Sequence, residues 1–323
     1  MLGAVPIAAI ALVLTSSIFH VAWNTLVKTS GDPLATSTRA VGFGVLAVTP
    51  FAALAWLATG RPALTPEGWA IAVASGIVSA AYFVPLSAAY RRGALSSVYP
   101  VARGSGALLG VVAGVLILGE RLEPPGGLGV ALLLGGTLTA ALATASRATV
   151  APALLAGCAV AGYSALDRVG VRTGPAWLYA WALWSVCALG LVGWRALILR
   201  WSLPPGSRRA TGTAPVASAP TSPVGAPAGD PVGDPAPDSD PDTTRADVRR
   251  SLVAGLLIIG TYMLILLAFQ IAPLAGVAPL RESATVLAAA WGVIALGEQD
   301  RAGVRLAAAA AVALGAVLLA VSG

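Results

Sequence analysis

The chain is 323 residues long, 57% of them apolar and only 11% charged, with 20 Lys and Arg against 14 Asp and Glu. Soluble domains carry about a quarter charged residues, so a single water-soluble globule is excluded, and a mean hydropathy of +0.82 points to an integral membrane protein. Six of the fourteen acids (Asp230, Asp234, Asp238, Asp240, Asp242, Asp247) fall in one polar stretch, while the basic residues stand in ones and twos at the ends of apolar runs, which indicates anchoring at a membrane face rather than a nucleic-acid surface.

A membrane-crossing helix needs about 20 mostly apolar residues, and Pro, Gly and charge clusters punctuate the chain at that spacing. Ten segments result: 5–27, 33–58, 67–90, 94–118, 126–145, 150–170, 175–200, 250–270, 274–296 and 302–321. Strand-length alternation does not recur, which excludes a membrane barrel. The first segment lacks the basic start of a signal peptide and is expected to be retained. It carries His20 and Asn24, four residues apart and therefore on one helix face. That face is expected to look inward, the alternative being a satisfied packing histidine.

The second segment contains Arg39 and the third Tyr82. In the fourth, Tyr99 and Arg103 flank Pro100, and Gly106, Gly110 and Gly114 repeat every fourth residue, as in helices that approach closely. Arg39 and Arg103 are long enough to snorkel to the interface instead of serving a cavity. Tyr163 and Asp167 fall near the end of the sixth segment. Asp167, beside Arg168, reads as a paired interfacial acid or as a proton carrier. Trp177, Trp181 and Trp184 form one stripe on the seventh, fit for packing or for lining an apolar substrate path. Cys158 and Cys187, both within apolar runs, read as small core residues; neither a disulfide framework nor a metal site is expected.

Residues 203–248 hold ten prolines and repeats of Ala-Pro and Asp-Pro, and are expected to be a disordered loop. Tyr262 lies in the eighth segment. Arg281 and Glu282 open the ninth just after Pro279, where unwound backbone would face a cavity. They read either as substrate ligands or as a lock between helices. A charge at mid-membrane costs about 2.5–3.5 kcal/mol on insertion scales, so each of these ionisable residues asks for a partner or a wet cavity.

Outside the loop the chain divides into two similar parts, 1–146 and 147–323. Gly119-Glu120 recurs as Gly297-Glu298 and Arg103 as Arg281, both at an offset of 178, while Pro100 matches Pro279 at 179. His20 and Asn24 correspond to Tyr163 and Asp167 at an offset of 143. Five helices is an odd number, so the second repeat crosses the membrane inverted relative to the first. Glu120 and Glu298 read as structural, bonded to nearby backbone or to Arg121 and Arg301. Fifteen Lys and Arg fall on the side of the odd-to-even connections and five on the other (Arg61, Arg121, Arg168, Arg172, Arg281). The positive-inside rule then puts the long loop in the cytoplasm and both termini outside.

The run His20-Val-Ala-Trp23-Asn24-Thr-Leu-Val-Lys28, the Tyr99-Pro100-x-x-Arg103 entrance to helix 4, the Ala278-Pro279-Leu280-Arg281-Glu282 entrance to helix 9 and the two Gly-Glu pairs together resemble the drug/metabolite transporter superfamily, specifically its ten-helix EamA-type members. The resemblance implies an all-α membrane protein with ten transmembrane helices, as two inverted five-helix repeats around a central cavity. It also implies export or exchange of small metabolites, amino acids or drugs at the plasma membrane without ATP hydrolysis, and termini in the cytoplasm, against the charge count. Four-helix members couple transport through a glutamate in helix 1, and this chain has no acid there.

No phosphate loop, HExxH or GxSxG motif is present, so neither an enzyme nor a bound cofactor is expected. A non-transporting sensor or a channel is the alternative to a transporter. The expected partners are a small-molecule substrate, membrane lipid and protons as coupling ion, with no nucleic acid, and the expected working unit is a monomer.

Overall fold

A computed structural model describes residues 6–118, 124–144, 146–202, 241–271 and 281–322, and every regular element among them is an α-helix. In chain order the ten helices are α1 (Ile7–Lys28), α2 (Pro33–Ala58), α3 (Pro66–Arg92), α4 (Leu95–Leu118), α5 (Pro124–Thr144), α6 (Arg147–Gly170), α7 (Ala176–Ser202), α8 (Pro241–Ile271), α9 (Ser283–Ile294) and α10 (Ala302–Ser322). Seven of them (α1, α2, α3, α5, α6, α7 and α8) are long and apolar enough to cross a membrane, consistent with a multi-pass membrane protein.

Local chemistry sets the helix starts. Asp32 Oδ1 accepts from the Leu34 and Ala35 amides, both at 3.0 Å, with Pro33 at the first helical position. Thr65 Oγ1 accepts from the Gly68 amide at 3.0 Å, again ahead of a proline, and Glu67 adds negative charge to the first turn. Two boundaries differ from those read in the sequence. Helix α8 begins at Pro241, so residues 241–248 of the expected loop are helical, and 203–240 lie outside the described residues. A proline is tolerated in a first helical turn, so the apolar helix can extend this far, and residues 245–249 are exposed. The expected start of the ninth segment, 274–280, lies outside the described residues; α9 runs from Ser283 and ends at Ile294, two residues before the expected 296, followed by a turn at Gly297, whose φ is +68°.

The packing is inside-out relative to a soluble protein. Leu46, Phe51, Leu54, Ile77, Leu142 and Leu189 are exposed, whereas Ser16, Ser17, Asn24, Ser75, Ser87 and Ser96 are buried. Cys187 is buried as expected, but Cys158 is exposed on α6, where a small apolar residue facing lipid costs nothing.

Helix α1 packs on α8, and α3 on α6; α2 packs on α8, and α3 on α7. Helix α4 packs on α6 and α5, while α9 packs on α1 and α10; the pairs α5 with α10, α2 with α7 and α4 with α9 complete the bundle. Close approach needs glycine where α4 meets α6: a Cβ on Gly157 would lie 2.8 Å from the Ala102 carbonyl oxygen, and one on Gly106 3.1 Å from that of Gly157.

Contacts at the helix ends define two faces. At one, Lys28 Nζ donates to the Tyr90 carbonyl (2.7 Å) and Arg250 to that of Thr29 (2.7 Å). Arg301 donates to the Leu142 carbonyl at the same face (3.4 Å). There too Glu298 accepts from the backbone amides of Leu95 (2.7 Å) and Ser96 (2.9 Å), the first turn of α4. The chain at Glu298 thus caps a distant helix rather than its own; Glu120 lies outside the described residues. At the opposite face the Thr65 amide donates to the Thr173 carbonyl (3.3 Å), joining the α2/α3 and α6/α7 connections. The C-terminus of α1 and the N-terminus of α6 therefore share a face, and the two helices run in opposite directions.

Candidate functional site

Polar side chains from α1, α4 and α9 converge inside the bundle. At about 1.5 Å per residue, His20 lies ~12 Å from the end of α1 and Arg103 ~12 Å from the start of α4. Glu282, ahead of the twelve-residue α9, sits ~18 Å from that helix's far end. Each therefore lies ~12 Å or more from the helix ends that form one face of the bundle.

The centre is an ion pair between the Arg103 guanidinium and the Glu282 carboxylate, with side chains 12% and 10% exposed. Thr285 Oγ1 donates to the other Glu282 oxygen at 3.1 Å. A small cavity beside the pair is lined by Ser16, Ser17, His20, Tyr99, Thr261 and Arg281, with room for about one water molecule. Its serines are already engaged: Ser16 donates to the Thr261 carbonyl (3.0 Å), and Ser17 meets Ser283 (3.1 Å). His20 Nε2, the Tyr99 hydroxyl and Arg103 Nε are buried without a hydrogen-bond partner. The His20 ring stands edge-on to Trp23 (5.0 Å) and Tyr99 (5.7 Å).

A second cluster surrounds Asp167. Oδ1 accepts from Ser75 (2.5 Å) on α3 and from the Tyr179 hydroxyl (2.8 Å) on α7, and Oδ2 lies 3.5 Å from the Tyr262 hydroxyl on α8. One carboxylate thus ties α6 to three other helices through hydroxyls; the side chain of Arg168, its expected partner, lies outside the described residues. Tyr163, one turn earlier on α6, packs edge-on against Tyr82 at 6.0 Å and has both Asp167 and the charged groups of the centre as electrostatic neighbours.

The remaining sequence candidates sit apart. Asn24 shares the His20 face but turns to α3: its Oδ1 accepts from the Tyr90 hydroxyl (2.5 Å) and its Nδ2 donates to the His20 carbonyl (2.7 Å). It is a buried helix lock, not part of the cavity wall. Arg39 lies at the helix ends, donating to Ser251 Oγ (3.2 Å) beside Asp247 (4.0 Å), with its side chain 36% exposed.

The tryptophan stripe of α7 lines a groove of about 220 Å³ between α2, α7 and α8, with Phe51 and Met263. Trp181 Nε1 donates across it to Thr49 Oγ1 (3.1 Å), and Trp184 stacks edge-on to Tyr262 (5.8 Å), linking groove and Asp167 cluster. Sequence reading did not select Ser75, Tyr90, Tyr179 or the Ser16-Ser17 pair. The available signal is that Ser16 and Ser17 precede His20 by four and three residues, on the same face.

No protein-family model matches the chain, and no curated protein matches it closely enough to count as a relative.

Proposed function

We propose that the chain is a secondary transporter of small organic solutes, an exporter working by alternating access in the plasma membrane, and not an enzyme. On this reading it is a ten-span protein of the EamA type, with residues 1–146 and 147–323 as inverted repeats. The observation that carries the proposal is the Arg103 and Glu282 pair, held with unpartnered His20 and Tyr99 groups at mid-depth in a bundle whose outside is apolar. Ionisable groups at that depth are costly unless they serve a pathway or a partner.

The packing supports the repeat. Exchanging α1–α5 for α6–α10 turns the α1/α8 contact into α6/α3, α2/α8 into α7/α3, α4/α6 into α9/α1 and α4/α5 into α9/α10, while α5/α10, α2/α7 and α4/α9 map onto themselves. Such halves can trade conformations about a shared centre. With room there for only about one water, the described state is closed, and a solute enters when the helices around the ion pair separate.

The test is flux in proteoliposomes of the purified chain, using radiolabelled amino acids, organic acids and cationic drugs with and without an imposed proton gradient. Saturable flux of one class, lost in Arg103→Gln, is expected. No flux of any class would refute transport, and non-saturable ion conductance would favour a channel.

A further inference from the structure

Resting on the transport reading, which makes the central cavity the binding site, we propose that this cavity binds the carboxylate of a small organic acid, with Arg281 as its counter-ion and the Tyr99 hydroxyl and His20 Nε2 as accompanying hydrogen-bond groups.

The argument starts from charge. Glu282 is the one acid in direct contact with the centre among the described residues, and both its oxygens are used, one by Arg103 and one by Thr285. Arg281 lines the same cavity and makes no ion pair with any described residue. Asp167, held by the hydroxyls of Ser75, Tyr179 and Tyr262, is a more distant negative charge that acts on Arg281 without lining the cavity. The immediate wall therefore carries two guanidinium groups against one carboxylate, and an uncompensated buried charge is strongly unfavourable.

Hydrogen bonding points the same way. The buried groups left without partners, the Tyr99 hydroxyl, His20 Nε2 and Arg103 Nε, can all donate, and Tyr99 is only 3% exposed. Ser16 spends its proton on the Thr261 carbonyl, and Ser17 shares a hydrogen bond with Ser283. Groups able to donate, beside a guanidinium that has no ion pair among the described residues, suit a ligand that brings charge and acceptors together. A carboxylate does so with two oxygens in the spacing of the guanidinium fork. An organic cation would meet two guanidinium groups of like charge.

The test uses the full-length chain in detergent, with thermal stability read against propionate, propionamide and propylamine, and with inorganic phosphate and phosphatidylglycerol as further arms. Propionate is expected to raise Tm saturably and the amide and amine to leave it unchanged. Arg281→Lys keeps the charge without the fork and raises the half-saturating concentration roughly tenfold, whereas Arg281→Gln abolishes the shift. Tyr99→Phe leaves the unliganded Tm in place and weakens the acid several-fold, so it carries the test if Arg281→Gln does not fold. The proposal is overturned if the acid does no better than the amide, if the amine stabilises more, or if the shift survives Arg281→Gln. A shift given by phosphate or phosphatidylglycerol but not by propionate also overturns it, assigning the site to a phosphate group. Flux of amines without acid binding would leave transport standing and remove the carboxylate; acid binding without flux of any solute would do the reverse.

Discussion

Neutralising Glu282 is the sharpest single perturbation of the centre. Glu282→Gln keeps the size and the hydrogen bond from Thr285 but leaves Arg103 and Arg281 facing one cavity with no compensating charge in contact. Removing one partner of a buried pair costs about 3–5 kcal/mol. The adjoining space for one water relieves part of this, so the lower end applies, ~3 kcal/mol or about two orders of magnitude in the unfolding equilibrium. The double variant Arg103→Gln/Glu282→Gln removes both charges and leaves two amides able to bond each other, so most of that loss is recovered, with a residual of about 1 kcal/mol. The assay is equilibrium unfolding in mixed micelles, followed by circular dichroism, for wild type, both single variants and the double variant. A Glu282→Gln loss under about 0.5 kcal/mol, or additive single effects with no coupling, would refute a buried ion pair at this position. Flux separates the roles: a double variant that is stable but inactive assigns the pair to the pathway, while a stable and active one assigns it to packing.

Four other outcomes are expected. Tyr90→Phe strands the buried Asn24 Oδ1 and costs about 1–3 kcal/mol in the same unfolding assay, and adding Asn24→Leu recovers most of it. Gly157→Val forces side-chain carbon against the Ala102 carbonyl and costs about 1–3 kcal/mol, whereas the same change at Gly127, which has open space around it, has a smaller effect. Deleting residues 208–238 leaves expression and flux unchanged, because shortening a Pro-rich stretch changes little closure entropy; lost flux with intact expression would show that this stretch docks or regulates. A reporter fused after Gly323 should report the side opposite the Lys28, Arg250 and Arg301 face, which the positive-inside rule places in the cytoplasm; cytoplasmic activity of the reporter would refute that orientation.

Helix positions were legible in the sequence because lipid imposes one length and one composition on every crossing, and Pro, Gly and Asp mark the ends. The start of α8 was not, since residues 241–248 have the composition of a loop and are helical only as the continuation of a membrane helix. Candidate residues were found by their rarity in apolar surroundings, which selected His20, Tyr99, Arg103, Arg281 and Glu282 at the cavity. Rarity cannot say who pairs with whom. Arg103 and Glu282 are 179 positions apart, and the proposed repeat would align Arg103 with Arg281 rather than with its partner. Asn24 and Asp167, which the proposed repeat would align, have different company, a single tyrosine in one case and three hydroxyls in the other. Helix periodicity gives a residue's face but not the neighbouring helix, and here the neighbour decides.

The Glu298 carboxylate has a mechanical consequence. By gripping the first two amides of α4 while Arg305 holds the Ser96 hydroxyl (3.2 Å), it rivets the link between α9 and α10 to the start of α4. Load applied to α9 at that face is passed straight to α4, so the two helices carrying Glu282 and Arg103 share a hinge there. Displacement about this rivet grows with distance along α4, so a small change of angle between α4 and α9 there moves Arg103, ~12 Å along its helix, against Glu282 and strains the ion pair.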